Sequence, residues 1–110
     1  MHITDNSFTI HDQSNRCSRI KSYQQLTGDN SAELRDHIHM YSRASHRVVY
    51  LDLIDVEHVD LYGINEVIHA HFSLQLISKK LILEYRKNSS VDHWVQTTGL
   101  DRFIETSITI

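Results

Sequence analysis

Two closely spaced histidine pairs make metal binding the first chemistry to consider in this sequence. His37-x-His39 and His69-x-His71 are the closest pairs among nine histidines, and both fall in segments predicted to be helical. Side chains two residues apart on an α-helix point about 200° apart, so neither pair can readily chelate one ion. Neither HExxH nor CxxC spacing occurs. We therefore predict no metal site, with these histidines on the surface and His71 near the edge of a buried face.

Catalytic chemistry has little support in the other polar residues. Cys17 is the single cysteine, and no feature of the sequence brings a base to it, so we expect a small, semi-buried residue. Asp52 and Asp55 flank the predicted end of the central strand, where α/β sheets commonly bind ligands. Ligand coordination there stays open beside a simpler role in capping turns. No Gly-rich loop follows a strand, so phosphate binding of the P-loop or Rossmann type is not supported. We predict no catalytic residue and no cofactor.

The composition is that of one globular domain, residues 1–110. Hydrophobic residues make up 40% of the chain and charged residues 23%, both ordinary values. A net charge of −3 argues against nucleic-acid binding, which usually needs a basic surface. No apolar run approaches the roughly 20 residues that span a bilayer, and the amino-terminal MHITDNSFTI lacks the pattern of a signal peptide. Because one cysteine allows no internal disulfide, we expect a cytoplasmic location.

The first part of the chain predicts two strands followed by a helix. Ser7–Asp12 alternates apolar and polar residues, whereas Arg16–Gln25 is a weaker strand prediction with sparse apolar positions. After a short turn, Asn30 is predicted to cap a helix that ends near Ala44, with Glu33 in the capping-box position. The predicted buried positions of this helix are Leu34, Ile38 and Tyr41.

The middle of the chain predicts a buried strand that leads into a second helix. Val48–Ile54 is apolar on successive residues, which is typical of a strand covered on both faces. A short polar connection then leads to Asp60, whose carboxylate can accept from the free N–H groups of the first helical turn. The predicted inward face of this helix comprises Leu61, Ile64, Val67, Ile68, Phe72 and Leu76. The predicted outward face comprises Asn65, Glu66, His69 and Ser73.

The last part predicts a strand, a third helix and a short terminal strand. The strand is Lys80–Tyr85, the helix is Val91–Thr98 with Gly99 as its left-handed C-terminal residue, and Phe103–Ile110 could form the terminal strand. The inward positions of the third helix are predicted to be Val91, Trp94 and Val95. The order β-β-α-β-α-β-α joins strands through single helices, which implies parallel pairs with right-handed crossovers after an initial hairpin. We predict an α/β fold with a small mixed β-sheet.

Three segments, in this order along the chain, resemble the STAS domain, the fold of bacterial anti-sigma factor antagonists. They are the turn LTGDN (26–30) with the following AEL, the segment VVYLDLIDVEHVD (48–60), and the late segment TGLDRF (98–103). The resemblance covers nearly the whole chain and implies a STAS-like sheet with helices packed mainly on one face. The glycine that is usual near the end of the second strand is replaced by Gln24 or Gln25.

The family's phosphorylation switch lies in a D-[S/T]-x-G motif, and this chain has DLYG at that place. The resemblance puts the acid on Asp60, the helix-start glycine on Gly63, and the phosphoacceptor on Leu61, or on Tyr62 if the alignment slips by one. Leu61 has no hydroxyl, and that of Tyr62 is placed differently from a serine. A phosphate adds about −1.5 to −2 charges and in this family releases the partner. We predict a helix start that binds a partner without this switch.

The resemblance implies that the second helix start and a neighbouring turn contact a protein partner. The predicted contact residues are Asp60, Leu61, Tyr62, Gly63, Asn65, Glu66, Gly28, Asp29 and Asn30. By resemblance the chain is a non-enzymatic bacterial transcription regulator that binds a kinase-type anti-sigma factor. One alternative is a STAS subunit of a membrane transport complex, either an ABC lipid transporter with its ATPase or a sulfate-type carrier. Another is a sensor of nucleotide or lipid with a pocket at Asp52, Asp55 and the Asp29 turn. A homodimer stays open.

Overall fold

A computed structural model describes residues 8–12 and 17–110, which form a sheet with helices packed against it. The strands are β1 (Phe8–Asp12), β2 (Cys17–Leu26), β3 (Val48–Val59), β4 (Lys80–Arg86) and β5 (Glu105–Thr109). The helices are α1 (Ser31–Tyr41), α2 (Leu61–Gln75) and α3 (Ser90–Thr98), followed by a 3₁₀ turn at Leu100–Arg102. The predicted order is confirmed, including the terminal strand. Ser7 and Arg16, the first residues of the two predicted amino-terminal strands, lie outside the described residues.

The five strands lie side by side in chain order. β1 and β2 form the predicted antiparallel hairpin, and the pairs β2–β3, β3–β4 and β4–β5 are parallel. The helices cover one face of this sheet, with the core between them and the inward side chains of the strands. The core includes Ile20, Leu51, Leu53, Leu81, Leu83 and Tyr85 of the sheet and Leu34, Ile38, Ile64, Val67, Leu74, Val91 and Val95 of the helices. Within the described ranges no helix is long and apolar enough to cross a membrane.

β3 is longer than the apolar run that predicted it. It continues past Ile54 to Val59, so the expected polar connection is in fact strand. Two register shifts against β2 let the pairing continue, because at each one β3 carries an extra residue. The Asp52 carboxylate accepts from the Ile54 N–H at 3.0 Å beside the first shift. The pairing of β3 with β4 ends at Asp52. Among the described strands, the remaining part of β3 therefore has no neighbour on that side, and its Asp55, Glu57 and His58 are exposed. Asp52 and Asp55 therefore lie within the strand and not at its end, contrary to the prediction.

The face of the sheet opposite the helices carries ion pairs, so β3 is not covered on both faces as its apolar run predicted, whereas the predicted placement of the helices mainly on one face is confirmed. Lys21 Nζ lies 3.4 Å from Asp52 Oδ2 and 2.9 Å from Asp55 Oδ2. Burial opposes the charge of Lys21, but the hydrogen bond to Asp55 and both carboxylate charges outweigh it and raise its pKa. The hydrogen bond from Lys21 lowers the pKa of Asp55. Arg19 pairs with Glu84 on the same face. These contacts give the two aspartates a structural role.

α1 begins after Asn30 as predicted, but the capping box does not form. The Asn30 side chain turns back, accepting from the Thr27 N–H and donating to the Gln25 carbonyl oxygen, both at 2.9 Å. The buried Asn30 side chain therefore hydrogen-bonds backbone groups of the preceding turn and not those of the helix. α1 ends at Tyr41, earlier than expected. Its predicted buried positions, Leu34, Ile38 and Tyr41, are confirmed.

α2 is rotated about its axis relative to the prediction. Glu66 was expected to face solvent, but it is buried and its carboxylate pairs with Arg35 of α1, with Nε donating to Oε1 at 3.2 Å. Leu61, Phe72 and Leu76, which were expected to face the core, are exposed. The residues that do face inward are Gly63, Ile64, Glu66, Val67, Ala70 and Leu74. The small Ala70 and the ion pair let α1 and α2 lie side by side.

α3 agrees with its predicted ends and packing. The Ser89 hydroxyl accepts from the Asp92 N–H at 3.1 Å and caps the helix. Val91 and Val95 are fully buried, and Trp94 is half-buried against the core. Gly99 adopts the left-handed conformation with φ 73°. The predicted C-terminal glycine is confirmed.

Replacement of Arg35 by Met should lower the thermal midpoint, because Glu66 then stays buried without the guanidinium that pairs with it. The double variant Arg35→Met/Glu66→Met should recover much of this loss, since removing both charges leaves no unpaired buried group. Thermal unfolding followed by circular dichroism measures both effects. A single variant as stable as the wild type, or a double variant no better than the single one, would contradict the structural role of this pair.

Candidate functional site

The start of α2 and the turn between β2 and α1 are joined by one carboxylate. Asp60 Oδ1 accepts from the Gly63 N–H at 2.9 Å, which is the predicted helix cap. Its Oδ2 accepts from the Gly28 N–H at 3.0 Å. The negative charge of Asp60 also meets the positive end of the helix dipole. Asp60 therefore fixes two segments of the chain, whereas the sequence indicated a helix cap and, by resemblance, a contact residue, but not the link to the Gly28 turn.

Gly63 is required by close packing against β2. A Cβ on this residue would lie 2.0 Å from the Leu26 carbonyl oxygen and 2.7 Å from the Leu26 carbonyl carbon. These are backbone atoms at the end of a buried strand, so they cannot move aside as a flexible side chain would. The absence of a side chain at residue 63 is what lets α2 start directly above β2.

The turn that faces α2 is rigid. In addition to the Asn30 contacts, the Ser31 N–H donates to the Thr27 carbonyl at 2.8 Å. Gly28 lies in this turn beside the ring of Tyr62, since a Cβ on Gly28 would lie 3.3 Å from Tyr62 Cδ2. Tyr62 therefore lies against the turn backbone at a place where a larger residue would crowd the ring.

Leu61 and Tyr62 form an exposed apolar pair on this rigid frame. They are the first two residues of α2, and their exposed fractions are 56% and 66%. Two exposed polar residues follow these contacts: Asp29 comes directly after Gly28 in the turn, and Asn65 lies about one helical turn further along α2. The surface formed by Leu61, Tyr62, Asp29 and Asn65 is called the helix-start surface below.

The structure separates the predicted contact residues into two groups. Those with accessible side chains or backbone are Leu61, Tyr62, Asn65, Gly28 and Asp29. Those that are buried are Gly63, Glu66 and Asn30. The buried residues shape the site from below, so the expectation that Glu66 lies on its surface is wrong. Asp60 lies between the two groups and holds them together.

The structure has two clefts that were not indicated by the sequence. One, of about 420 Å³, lies between the starts of α2 and α3 and is lined by Thr27, Asp60, His58, His93 and Trp94 among others. The other, of about 500 Å³, lies between α1 and α2 beside the Arg35–Glu66 pair. Parallel strand order places the starts of successive helices at one edge of a sheet. This order is the one feature of the sequence that could have indicated the first cleft, between the starts of α2 and α3. Among the described side chains, no group of three histidine, cysteine or acidic residues is arranged to hold a metal ion.

Comparison with known proteins gives matches in structure alone. No protein-family model and no curated protein matches the sequence. An anti-sigma factor antagonist from Mycobacterium paratuberculosis superposes with a TM-score of 0.80 at 16% identity, covering 94% of this chain and 86% of that one. The anti-sigma factor antagonist SpoIIAA in its unphosphorylated form gives 0.71 at 12% identity, covering 94% and 89%. This chain has the fold of the anti-sigma factor antagonists.

The STAS-like fold predicted from the sequence is thereby confirmed. The Bacillus cell fate determinant SpoIIAA in its phosphorylated form is also similar, with a TM-score of 0.69 at 15% identity over 91% of this chain and 90% of that one. SpoIIAA is thus a protein of this fold with both a phosphorylated and an unphosphorylated state. At these identities the similarity is one of backbone fold. It does not extend to the side chains of the helix-start surface.

Replacement of Gly63 by Ala should destabilise the fold by about 1–3 kcal/mol, the usual cost of overpacking a tight contact. Helix propensity alone predicts the opposite sign, since Ala is favoured over Gly by about 1 kcal/mol inside a helix. Equilibrium unfolding in denaturant measures the difference. The control is Gly28→Ala, whose Cβ would meet only the side chain of Tyr62 at 3.3 Å and should cost less. A Gly63→Ala variant as stable as the wild type would contradict the close contact with Leu26.

Proposed function

We propose that this chain is a non-enzymatic regulatory domain that binds a protein partner through the helix-start surface. The observation that carries the proposal is the exposed Leu61–Tyr62 pair on a frame fixed by Asp60 and Gly63. The fold is consistent with this role, because the similar structures are those of anti-sigma factor antagonists. By analogy, the partner is a kinase-type anti-sigma factor.

The chemistry of the helix-start surface suits a protein contact. Leu61 and Tyr62 place an apolar side chain and an aromatic ring at its centre, and aromatic residues are enriched at the centres of interfaces. Asn65 and Asp29 provide a polar rim around them. Because the backbone beneath is fixed by hydrogen bonds, little conformational entropy is lost when a partner binds.

The same surface lacks the hydroxyl that a phosphate switch would need at its centre. A phosphate would add about −1.5 to −2 charges beside Asp60. It would repel an acidic partner, and contact with an apolar partner would require its unfavourable desolvation. Leu61 cannot carry one, and Tyr62 places its ring against Gly28 in a geometry unlike that of a short serine side chain. We propose that partner binding at this surface is constitutive and is not controlled by a phosphate on the phosphoacceptor-equivalent residues, Leu61 and Tyr62.

A STAS subunit of a transport complex would use the same kind of surface, with the transporter ATPase as its partner. The two functions differ in the identity of the protein bound, which is the quantity that the experiment below determines. A small-ligand sensor built on Asp52 and Asp55 has less support, because Lys21 already pairs with both carboxylates.

The variant Leu61→Asp should weaken partner binding about tenfold or more, since it buries a charge at the centre of the interface. An acid in the first turn of a helix is favourable for the helix itself, so the fold should be retained. The measurement is affinity capture of the tagged chain from its host, with quantitative mass spectrometry of the proteins recovered and of the bait. Met40→Asp is the control for an acid in place of an exposed apolar side chain, because Met40 is exposed to a similar extent, at 58%; since an acid is unfavourable in the last turn of α1, its folding is checked by circular dichroism.

The expected result is a stoichiometric partner, either an anti-sigma factor or a transporter ATPase, that is lost with Leu61→Asp and retained with Met40→Asp. The bait recovered with its partner should carry no phosphate. Equal recovery with wild type and Leu61→Asp would place the interface elsewhere. A stoichiometric phosphate on Tyr62 would contradict constitutive binding.

A further inference from the structure

The outer face of α2 carries no charged side chain. Glu66 is the one acidic or basic residue from Leu61 to Gln75, apart from histidines, and it is buried against Arg35. The exposed face of α1, in contrast, carries the charged side chains that are usual on a solvent-facing helix, namely Glu33, Arg35 and Asp36. Depletion of charge together with aromatic enrichment is the compositional pattern of an interface centre.

The second half of this face joins another segment to form an aromatic patch, defined here as Phe72, Leu76 and Phe103. Their exposed fractions are 50%, 87% and 45%. The rings of Phe72 and Phe103 are stacked with centroids 6.0 Å apart and an interplanar angle of 17°. His71 contacts both rings edge-on, at 4.9 Å from Phe72 and 5.5 Å from Phe103. The patch is therefore a preformed surface built from two segments distant in sequence.

The charges at and around the patch are compatible with a second identical patch. Burial lowers the pKa of His71, which favours the neutral form of this imidazole. Next to Phe103, the exposed Asp101 and Arg102 supply one acid and one base. Two copies of the patch can therefore meet without repulsion between like charges at the centre. At the edge, Asp101 and Arg102 offer one negative and one positive charge to the other copy. A strongly charged partner would find no counter-charge at the centre.

We propose that the aromatic patch is a contact surface between two copies of this chain, related by a two-fold axis. An isologous interface requires one surface that is complementary to itself, which the charge distribution provides. The proposal is independent of the function assigned to the helix-start surface.

The size of the patch fits the centre of a small dimer interface. A full aromatic side chain offers roughly 200 Å², so the three half-exposed or exposed side chains supply several hundred Å² of apolar surface. A standard interface buries about 800 Å² on each partner, and the rest comes from a polar rim. We therefore expect a dissociation constant on the order of micromolar, typical of a small interface.

The dimer would leave the helix-start surface free. Phe72 follows Leu61 by three helical turns, about 16 Å along the axis. A two-fold contact centred on the patch brings the carboxyl ends of the two α2 helices together and keeps their starts apart. Each dimer would then present two helix-start surfaces.

Sedimentation velocity on the full chain over a concentration series tests the proposal. The wild type should change from monomer to dimer, and Phe72→Lys and Leu76→Lys should each raise the dissociation constant about tenfold or more, because two lysines would then face each other in an apolar contact. Leu76→Lys is the safer variant for folding, since this side chain is almost fully exposed and a cation near a helix C-terminus is favourable. Met40→Lys is the control, because it adds the same charge near the end of α1, outside the patch.

The proposal is supported if the dimer is lost with Leu76→Lys and retained with Met40→Lys. A wild-type chain that stays monomeric at the highest concentration would overturn it, and the patch would then be a candidate contact for a different protein. A dimer that tolerates both lysine variants of the patch, or that Met40→Lys also disrupts, would overturn the assignment to this surface. Leu61→Asp should leave the dimer intact, so failure of this proposal and failure of the proposed partner contact give different results.

Discussion

The Asp60 carboxylate is the interaction on which the rest of this structure depends. Its two oxygens accept from the Gly63 and Gly28 N–H groups, so one side chain fixes both the first turn of α2 and the turn before α1. The same arrangement holds the Gly63 backbone against the Leu26 carbonyl, where no Cβ fits. The position and rotation of α2 are therefore set in its first turn. Which side chains further along the helix are buried or exposed follows from that rotation.

With its rotation fixed, α2 turns Glu66 and Ala70 towards α1 and leaves Leu61, Phe72 and Leu76 outside. Burial of a carboxylate is unfavourable unless it is paired, and Arg35 provides the partner. Exposure of large apolar side chains is also unfavourable in water. The pairing with Arg35 offsets the first cost, whereas the exposure of Leu61, Phe72 and Leu76 leaves the second. Contact of the exposed residues with other proteins, as proposed above, would offset the second cost.

Sequence reasoning succeeded for most features whose determining contacts are local, although the capping box at Asn30 did not form. The Asp60 cap, the left-handed Gly99 and the buried positions of α1 depend on neighbours within a turn or two. It failed for part of α2 because this helix has more large apolar residues than one buried face can hold, so that periodicity cannot decide which of them face the core. The choice depends on contacts with residues far away in sequence, namely Gly28 and Leu26 at the helix start and Arg35 further along. The length of β3 likewise depends on irregular pairing with β2. At the site, the family resemblance indicated Asp60, Gly28 and Gly63, but the contact of Tyr62 with Gly28 is visible only in three dimensions.

The helix-start surface and the aromatic patch are both built around α2, at its opposite ends, but share no side chain. Binding at one surface changes the affinity of the other only if it alters the free energies of two states of the domain differently. The first turn of α2 is fixed by Asp60 and its middle by the Arg35–Glu66 pair, which leaves little freedom for a second state. A dimer would therefore act through valency: two fixed helix-start surfaces raise the effective concentration for a partner that is itself dimeric. Such a dimer would bind a dimeric partner more tightly than a monomeric one, without any conformational change in this domain.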